Sequence, residues 1–475
     1  MRIHIYVKLR IKLIMLNLKI NNVGKINKVD ININGITILG AKNDSGKSTI
    51  SKVLGTSLNA LNNYEKLFEE YLNDQIRDLL FTIDGILKNN LDDIVFDLEE
   101  LPKEYRIFFD SEGRYAFRYF NFKRNFEKNS SIEERILYLS RIFEYIINNY
   151  SEKITEKDLN ELNNSLNKLK KVHETRIEDV KIELISQFFN ESFNRSINNF
   201  HNNNHANINI TQNDNLIFNV LFNNENHIKK CKTGVSQVKK VIYIESPLIL
   251  DQIERRKSFF NYNYSTVSYE DDLRYMLLNK KEKNILADNK DIKLKVALKI
   301  ANIINGKLEK KEKSMSGKLS FKRGSYDIEV LNLATGIKSF AIIQLLLENN
   351  WLDNQSLLII DEPEVHLHPE WQVKFVEILV LINKYLGVNI YINTHSTYLI
   401  EGFQIISKNY NIDDTVNYYM LETNDFSSFA KEIKVQDSIS NSIEINDSLN
   451  KLYDQLNGAF EILDNHKFNW DNENE

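Results

Sequence analysis

The stretch Leu357-Leu358-Ile359-Ile360-Asp361-Glu362-Pro363-Glu364-Val365-His366-Leu367-His368-Pro369 constrains the fold of this chain more tightly than any other. Four consecutive aliphatic residues ahead of a carboxylate pair describe a strand covered on both faces, as in a parallel sheet. Ending such a strand in two acids is costly unless the charges meet a partner. A Mg²⁺ ion with a nucleotide phosphate would supply one, and the C-terminal edge of a parallel sheet is where open α/β folds bind ligands. Pro369 then opens the next helix.

A second motif lies upstream. Residues 15–22 and 27–39 alternate as strands, with a hairpin-like turn expected at Asn34-Gly35. The second run leads into Gly40-Ala41-Lys42-Asn43-Asp44-Ser45-Gly46-Lys47-Ser48-Thr49. The strict phosphate-loop pattern wants glycine at position 41; here Ala41 stands there and the glycine comes one residue earlier. A strand before and a helix after are the confirming context. Backbone N–H groups from Asn43, Asp44, Ser45 and Gly46, with the helix N-terminus at Lys47, would surround phosphates. Lys47 would reach the β- and γ-phosphates, Ser48 would ligate Mg²⁺ and Thr49 would touch the α-phosphate.

At 475 residues the chain is too long for one simple core, so two domains, or one core with a large insertion, are expected. A net charge of −5 gives no global field for nucleic acid, so any such contact must be local. The single cysteine, Cys231, excludes a disulfide framework and a cysteine zinc cluster, and fits a reducing cytoplasm. No uncharged apolar run of about 18 residues occurs, so no transmembrane helix is expected. Residues 1–14 alternate basic and apolar side chains, unlike a signal peptide. They read as an extra edge strand or as sequence upstream of a start at Met15, and the clean strand pattern from Met15 favours the second.

From about 56 to 205 helical spacing dominates, as in Ile136, Leu139 and Phe143, or Leu159, Leu162, Leu166, Leu169 and Val172. The expected organisation is an N-terminal extension at 1–14, a core from 15–60 and 206–400, an inserted helical lobe at 61–205, and a C-terminal segment at 401–475. That last segment carries a β-like piece at Val416–Thr423, a helix around 443–463 and an acidic tail at 469–475 expected to be disordered. Hairpins are expected over 206–222 and around Arg323-Gly324-Ser325. The cations Lys307, Lys310, Lys311, Lys313, Lys318, Lys322 and Arg323 form a solvated face or a phosphate contact.

A glycine-containing turn, Leu333-Ala334-Thr335-Gly336-Ile337-Lys338-Ser339, opens an apolar helix and is a ready anion site. Strands 357–360 and 388–392 flank a helix and so are parallel neighbours. Asp361, Glu362 and His395, in Asn393-Thr394-His395-Ser396, therefore share one sheet edge. Glu364, His366 and His368 resemble a metal cluster in composition. Their place between the acid pair and a proline-started helix favours a subunit-contacting turn.

With these motifs in place, the chain resembles the ABC-type ATPases of the RecF, SMC and OLD group over roughly 15–60 and 238–400. The resemblance implies an α/β fold: an ABC-type P-loop core with a mostly parallel central sheet, an antiparallel β-subdomain and a large inserted helical lobe. It implies ATP and Mg²⁺ as ligands, with nucleotide held by Asn43–Thr49 and Mg²⁺ by Ser48 and Asp361. Glu362 resembles the general base and His395 the switch histidine at the γ-phosphate, with Lys47 the third catalytic group. Thr335 and Gly336 would complete the site of a second subunit, giving a homodimer or a higher even-numbered oligomer with ATP as the glue. The usual serine of that signature is Ala334 here, and Thr335 offers the replacement hydroxyl.

Nucleases of the OLD group carry a C-terminal Toprim domain, for which residues 401–475 are too few. Stand-alone ATPases of this length resemble the ATPase subunit of Septu-type antiphage systems, which works with a separate HNH nuclease. The expected function is thus a cytoplasmic ATP-hydrolysing regulator or sensor in antiphage defence. The alternative is a RecF-like repair or chromosome-maintenance clamp that binds DNA directly. A transporter motor is disfavoured, since Lys47 and Gly336 stand 289 positions apart.

Overall fold

The computed structural model describes residues 13–41, 44–91, 131–199, 204–255, 267–281, 290–310, 319–424 and 427–433. Asn43, the cations at 311, 313 and 318, the expected helix at 443–463 and the tail at 469–475 lie outside the described residues. In chain order the elements are β1 (Leu16–Val23), β2 (Ile26–Ile33), β3 (Ile36–Gly40), α1 (Lys47–Leu91), α2 (Ile132–Tyr150), α3 (Glu156–Glu174) and α4 (Ile177–Phe193). There follow β4 (Asn207–Gln212), β5 (Asn215–Phe222), β6 (Ile228–Thr233), β7 (Lys240–Ile244), α5 (Ile249–Arg255), α6 (Tyr269–Leu278) and α7 (Lys290–Ile303). Next are β8 (Lys307–Lys310), β9 (Leu319–Arg323), β10 (Tyr326–Glu329), α8 (Thr335–Glu348), β11 (Ser356–Asp361) and α9 (Pro369–Leu386). β12 (Asn389–Thr394), α10 (Thr397–Asn409), β13 (Val416–Asn424) and β14 (Ser427–Ile433) complete the described chain.

Two compact units divide it, one from residues up to Asn63 together with those from Ile185 onward, the other Tyr64–Leu184. In the first, eleven strands form a single sheet in the order β6-β5-β4-β1-β2-β14-β13-β3-β12-β11-β7. The block β13-β3-β12-β11-β7 is parallel, whereas β1, β2, β4, β5 and β6 pair antiparallel. The antiparallel part thus continues the parallel one in a single mixed α/β sheet. A separate sheet, β10-β9-β8, contains the expected turn at Gly324.

Leu357, Leu358 and Ile359 are fully buried and Ile360 is 3% exposed, as a strand covered on both faces requires. Leu358 and Ile360 belong to a core with Phe340 of α8 and Phe375 of α9. On the opposite face Ile359 meets α1, where a Cβ on Gly55 would lie 3.6 Å from Ile359 and from Tyr243. Burying four such side chains is worth about 6–12 kcal/mol at about 1.5–3 each. That rivals a whole domain's net stability of about 5–15 kcal/mol, so β11 cannot slip register cheaply.

Two expectations are corrected. Gly35 does turn the chain with φ 64, but β2 and β3 are not hydrogen-bonded neighbours. The C-terminal hairpin β13–β14 inserts between them, β14 against β2 and β13 against β3. The true hairpin is β1–β2. The core also extends past the expected limit at 400, since β13 and β14 lie inside the central sheet.

In the second unit α1, α2 and α3 share a core that includes Leu80, Ile83, Ile136, Leu139, Phe143, Leu162, Leu166 and Leu169. Ser131 and Glu134 form a reciprocal capping box at the start of α2, and Thr155 caps α3. The leucines predicted at helical spacing in 159–172 are those that face this core.

Candidate functional site

Parallel register fixes the site. Asp361 pairs with Asn393, and Thr394 with Gly40, so β3, β11 and β12 end at one edge. The loop after β3, the acids ending β11 and the turn after β12 therefore meet.

The loop is braced from several sides. Ala41 N–H donates to Thr394 O at 3.3 Å, and Ser428 Oγ on β14 donates to Ser45 O at 2.7 Å. Lys25 in the β1–β2 turn donates to Asp44 O at 3.3 Å and pairs with its carboxylate. Asp44 and Gly46 adopt left-handed φ values of 61 and 91, and a Cβ on Gly46 would lie 2.8 Å from Ile26. Gly46 is therefore required. Ala41 has no such φ, which explains how alanine stands where the strict pattern has glycine.

Lys47 is 4% exposed; its Nζ donates to Ala41 O at 2.9 Å and lies 3.4 Å from Glu362 Oε1. Glu362 takes a left-handed φ of 43, sparsely populated for a non-glycine residue and typical of functional turns. Its Oε1 also stands 3.9 Å from His395 Nδ1, so one carboxylate lies between lysine and histidine.

Asp361 is 8% exposed and surrounded by donors. Ser51 Oγ donates to Oδ1, Asn393 Nδ2 to the same oxygen at 2.8 Å, and Tyr243 OH to Oδ2 at 2.9 Å. Ser48 donates as well. Burial pushes the Asp361 carboxyl above its ordinary value, and the Ser51, Tyr243, Ser48 and Asn393 donors oppose that push. Burial raises the Tyr243 phenol well above its own range, with Asp361 and Glu245 adding to the rise, so it stays a donor.

Ser51, Tyr243 and Asn393 were not picked out in the sequence. Ser51 follows Lys47 by four and Ser48 by three positions, the spacing that shares a helix face, so its position was legible. Tyr243 pairs with Ile359 across β7–β11, a register no local pattern reveals. Glu364 was read only as part of a turn. Its Oε1 accepts from Thr394 Oγ1 and from His395 N–H, both at 2.8 Å.

His368 caps α9, its Nδ1 3.4 Å from Glu370 N, and among the described residues no group of three or more His, Cys, Asp or Glu could hold a metal. Ala334 precedes α8 without a side-chain cap bond, and Thr335 is its first residue. Gly336 packs on the turn after β11, where a Cβ would lie 3.1 Å from His366 O and from Leu367. Within the cationic run, Lys307 and Lys322 share the single carboxylate of Glu309, at 2.8 and 3.2 Å, and Arg323 donates to Asn305 O and Ile304 O.

The donor set fits a magnesium nucleotide. Ser45 Oγ is buried without a hydrogen-bond partner in the loop. A hydroxyl at Ser48 beside a buried carboxylate at Asp361 presents hard oxygens, the kind Mg²⁺ takes alongside phosphate oxygens and waters.

Residues 15–400 match the family described as the AAA ATPase domain. The chain belongs to that family. Its members' coarse activity, ATP-dependent chemistry at a P-loop, is therefore this chain's as well. No curated protein matches the chain in sequence. Among solved structures, this AAA ATPase domain is similar to an Smc head bound to the C-winged helix domain of ScpA, at 9% identity over 89% of this chain and 98% of that one, with a TM-score of 0.37. It is similar to the SMC head domain from Thermotoga maritima at 11% identity, over 89% of this chain and 100% of that one, TM-score 0.35. An ATP-binding cassette of an ABC transporter in its ADP conformation matches at 10% identity, over 93% and 99%, TM-score 0.30. Among the described residues no helix is long and apolar enough to cross a membrane.

Proposed function

We propose that this AAA ATPase domain binds Mg-ATP at the β3, β11 and β12 edge and hydrolyses it. The observation that carries the reading is the Glu362 carboxylate, 3.4 Å from Lys47 and 3.9 Å from His395. Lys47 exchanges Glu362 for a phosphate entering the loop, which frees the carboxylate to accept a proton from the attacking water. Thr49 and the loop N–H groups of Asp44, Ser45 and Gly46 orient the phosphates, and His395 contacts the terminal one. Ser48, and Asp361 through water, would hold Mg²⁺, whose charge would offset that of the phosphate oxygens. The water-mediated role follows from Asp361, whose oxygens already accept from four side chains.

The ATP-bound form pairs two copies head to tail, Thr335 and Gly336 of each facing the nucleotide of the other. The start of α8 carries no side-chain cap, which supports that role, since a helix N-terminus suits an anion. In the cell the ATPase acts as a cytoplasmic regulator or sensor in antiphage defence, with a separate HNH-type nuclease.

Phosphate release from Mg-ATP tests the core claim, and wild-type turnover by Glu362→Gln would sink the general-base role. Co-purification with a nuclease encoded beside it supports the defence reading. A duplex-DNA shift by the purified chain, with a salt slope of several phosphate contacts, would support the clamp instead.

A further inference from the structure

The phosphate loop is held by two donors that its own motif does not contain. Ser428, 2% exposed on β14, donates its hydroxyl to Ser45 O at 2.7 Å, and its N–H donates to Lys25 O at 3.1 Å. Lys25 in turn donates from Nζ to Asp44 O at 3.3 Å and pairs with the Asp44 carboxylate. Ser428, Lys25, Asp44 and Ser45 thus close a ring of contacts. The β14–β2 pairing shifts register between Ser428 and Phe429, the kind of local irregularity that re-aims a side chain beside a functional site. The donor comes from far along the chain, 383 positions after Ser45.

The consequence lies in the peptide planes. Among the described residues every peptide bond is trans, so in each plane the C=O and the following N–H point in opposite directions. Drawing Ser45 O toward β14 therefore turns the Gly46 N–H away from β14. Drawing Asp44 O toward Lys25 turns the Ser45 N–H away from Lys25. Among the described residues no main-chain acceptor takes either N–H. The Ser45 hydroxyl is buried beside them, also without a hydrogen-bond partner. Left-handed φ values at Asp44 and Gly46 supply the alternation by which successive N–H groups make a concave anion site.

We propose that Ser428 is a positioning residue for the phosphate loop. β14 fixes the orientation of the Ser45–Gly46 peptide, Lys25 fixes the peptide before it, and two N–H groups are aimed at a phosphate before the nucleotide arrives. The C-terminal hairpin thereby has a task in nucleotide binding and not only in the sheet. This inference rests on the proposed function for the ligand class, a nucleoside di- or triphosphate.

The test separates binding from chemistry on the full-length chain. Calorimetric titration with Mg-ADP measures affinity without turnover, and steady-state hydrolysis of Mg-ATP gives KM and kcat. Ser428→Ala weakens ADP binding about 2–12-fold, the loss of one neutral hydrogen bond. KM for ATP rises by a similar factor while kcat stays within about 2-fold, the pattern of lost uniform binding, because Glu362 and His395 are untouched. Ser428→Thr keeps the hydroxyl and binds ADP within about 2-fold of wild type. A brace that served only the sheet would lower the melting temperature of Ser428→Ala and leave its ADP affinity alone. Unchanged ADP affinity in Ser428→Ala, a loss that falls on kcat with KM unchanged, or a loss as large in Ser428→Thr as in Ser428→Ala overturns the assignment. Those results would leave the ATPase reading standing, since that reading fails only if the wild-type chain binds neither ADP nor ATP.

Discussion

Tyr243→Phe isolates one hydrogen bond at the buried Asp361 carboxylate. The phenol donates to Asp361 Oδ2 at 2.9 Å, and the ring also packs beside Tyr269 with centroids 4.8 Å apart. Phenylalanine keeps the ring and loses only the donor. A hydrogen bond to a buried charged acceptor is worth about 1.5–3 kcal/mol. At about 2–4 °C per kcal/mol, melting should fall by about 3–12 °C at pH 7.5 in chelator without nucleotide. The pH dependence gives a sharper criterion. Burial raises Asp361 above its ordinary value of 3.8, so the folded state binds the proton more tightly than the unfolded one. Its contribution to stability is fully present below 3.8 and is lost as pH rises through the raised folded value. Losing the Tyr243 donor raises that folded value further. The gap between wild type and Tyr243→Phe should therefore shrink from pH 7.5 toward pH 4. Calorimetric melting at three pH values measures it. Equal melting at pH 7.5, or a gap that stays constant or widens in acid, would refute the account of Asp361 as a buried carboxylate held by donors.

Lys47→Ala should abolish ATP binding by equilibrium dialysis, because it removes a buried ammonium, 4% exposed, from beside Ala41 O and Glu362. Glu362→Gln should retain ATP binding, lower phosphate release by about 10²–10⁴-fold, and accumulate a dimer detectable by light scattering. Gly35→Ala should cost at least about 3 kcal/mol in denaturant unfolding. The new Cβ would lie 2.3 Å from Thr415 O at a φ of +64, so neither backbone can relax cheaply.

Much of the site was legible because its chemistry is local. Lys47, Ser48, Asp361, Glu362 and His395 each follow a strand at a characteristic spacing, and the strands read as buried aliphatic runs. Side chains recruited from a distance were not. Beside Ser48, Asp361 takes its hydrogen bonds from positions 51, 243 and 393, and of these only Ser51 carried a helical-face signal. Glu364 looked like part of a histidine-rich turn until β12 was seen to place Thr394 and His395 against it.

The sequence by itself determined the α/β class, the phosphate loop, the acid-ended strand and the helical character of residues 132–174, because hydrophobic periodicity and turn chemistry act over a few residues. Tertiary structure alone decided strand order. The hairpin β13–β14 enters between β2 and β3, carrying Ser428 to Ser45 O, and parallel register brings Asn393 beside Asp361. Strand neighbours are chosen by side-chain packing across hundreds of residues, and no local pattern in the chain records that choice.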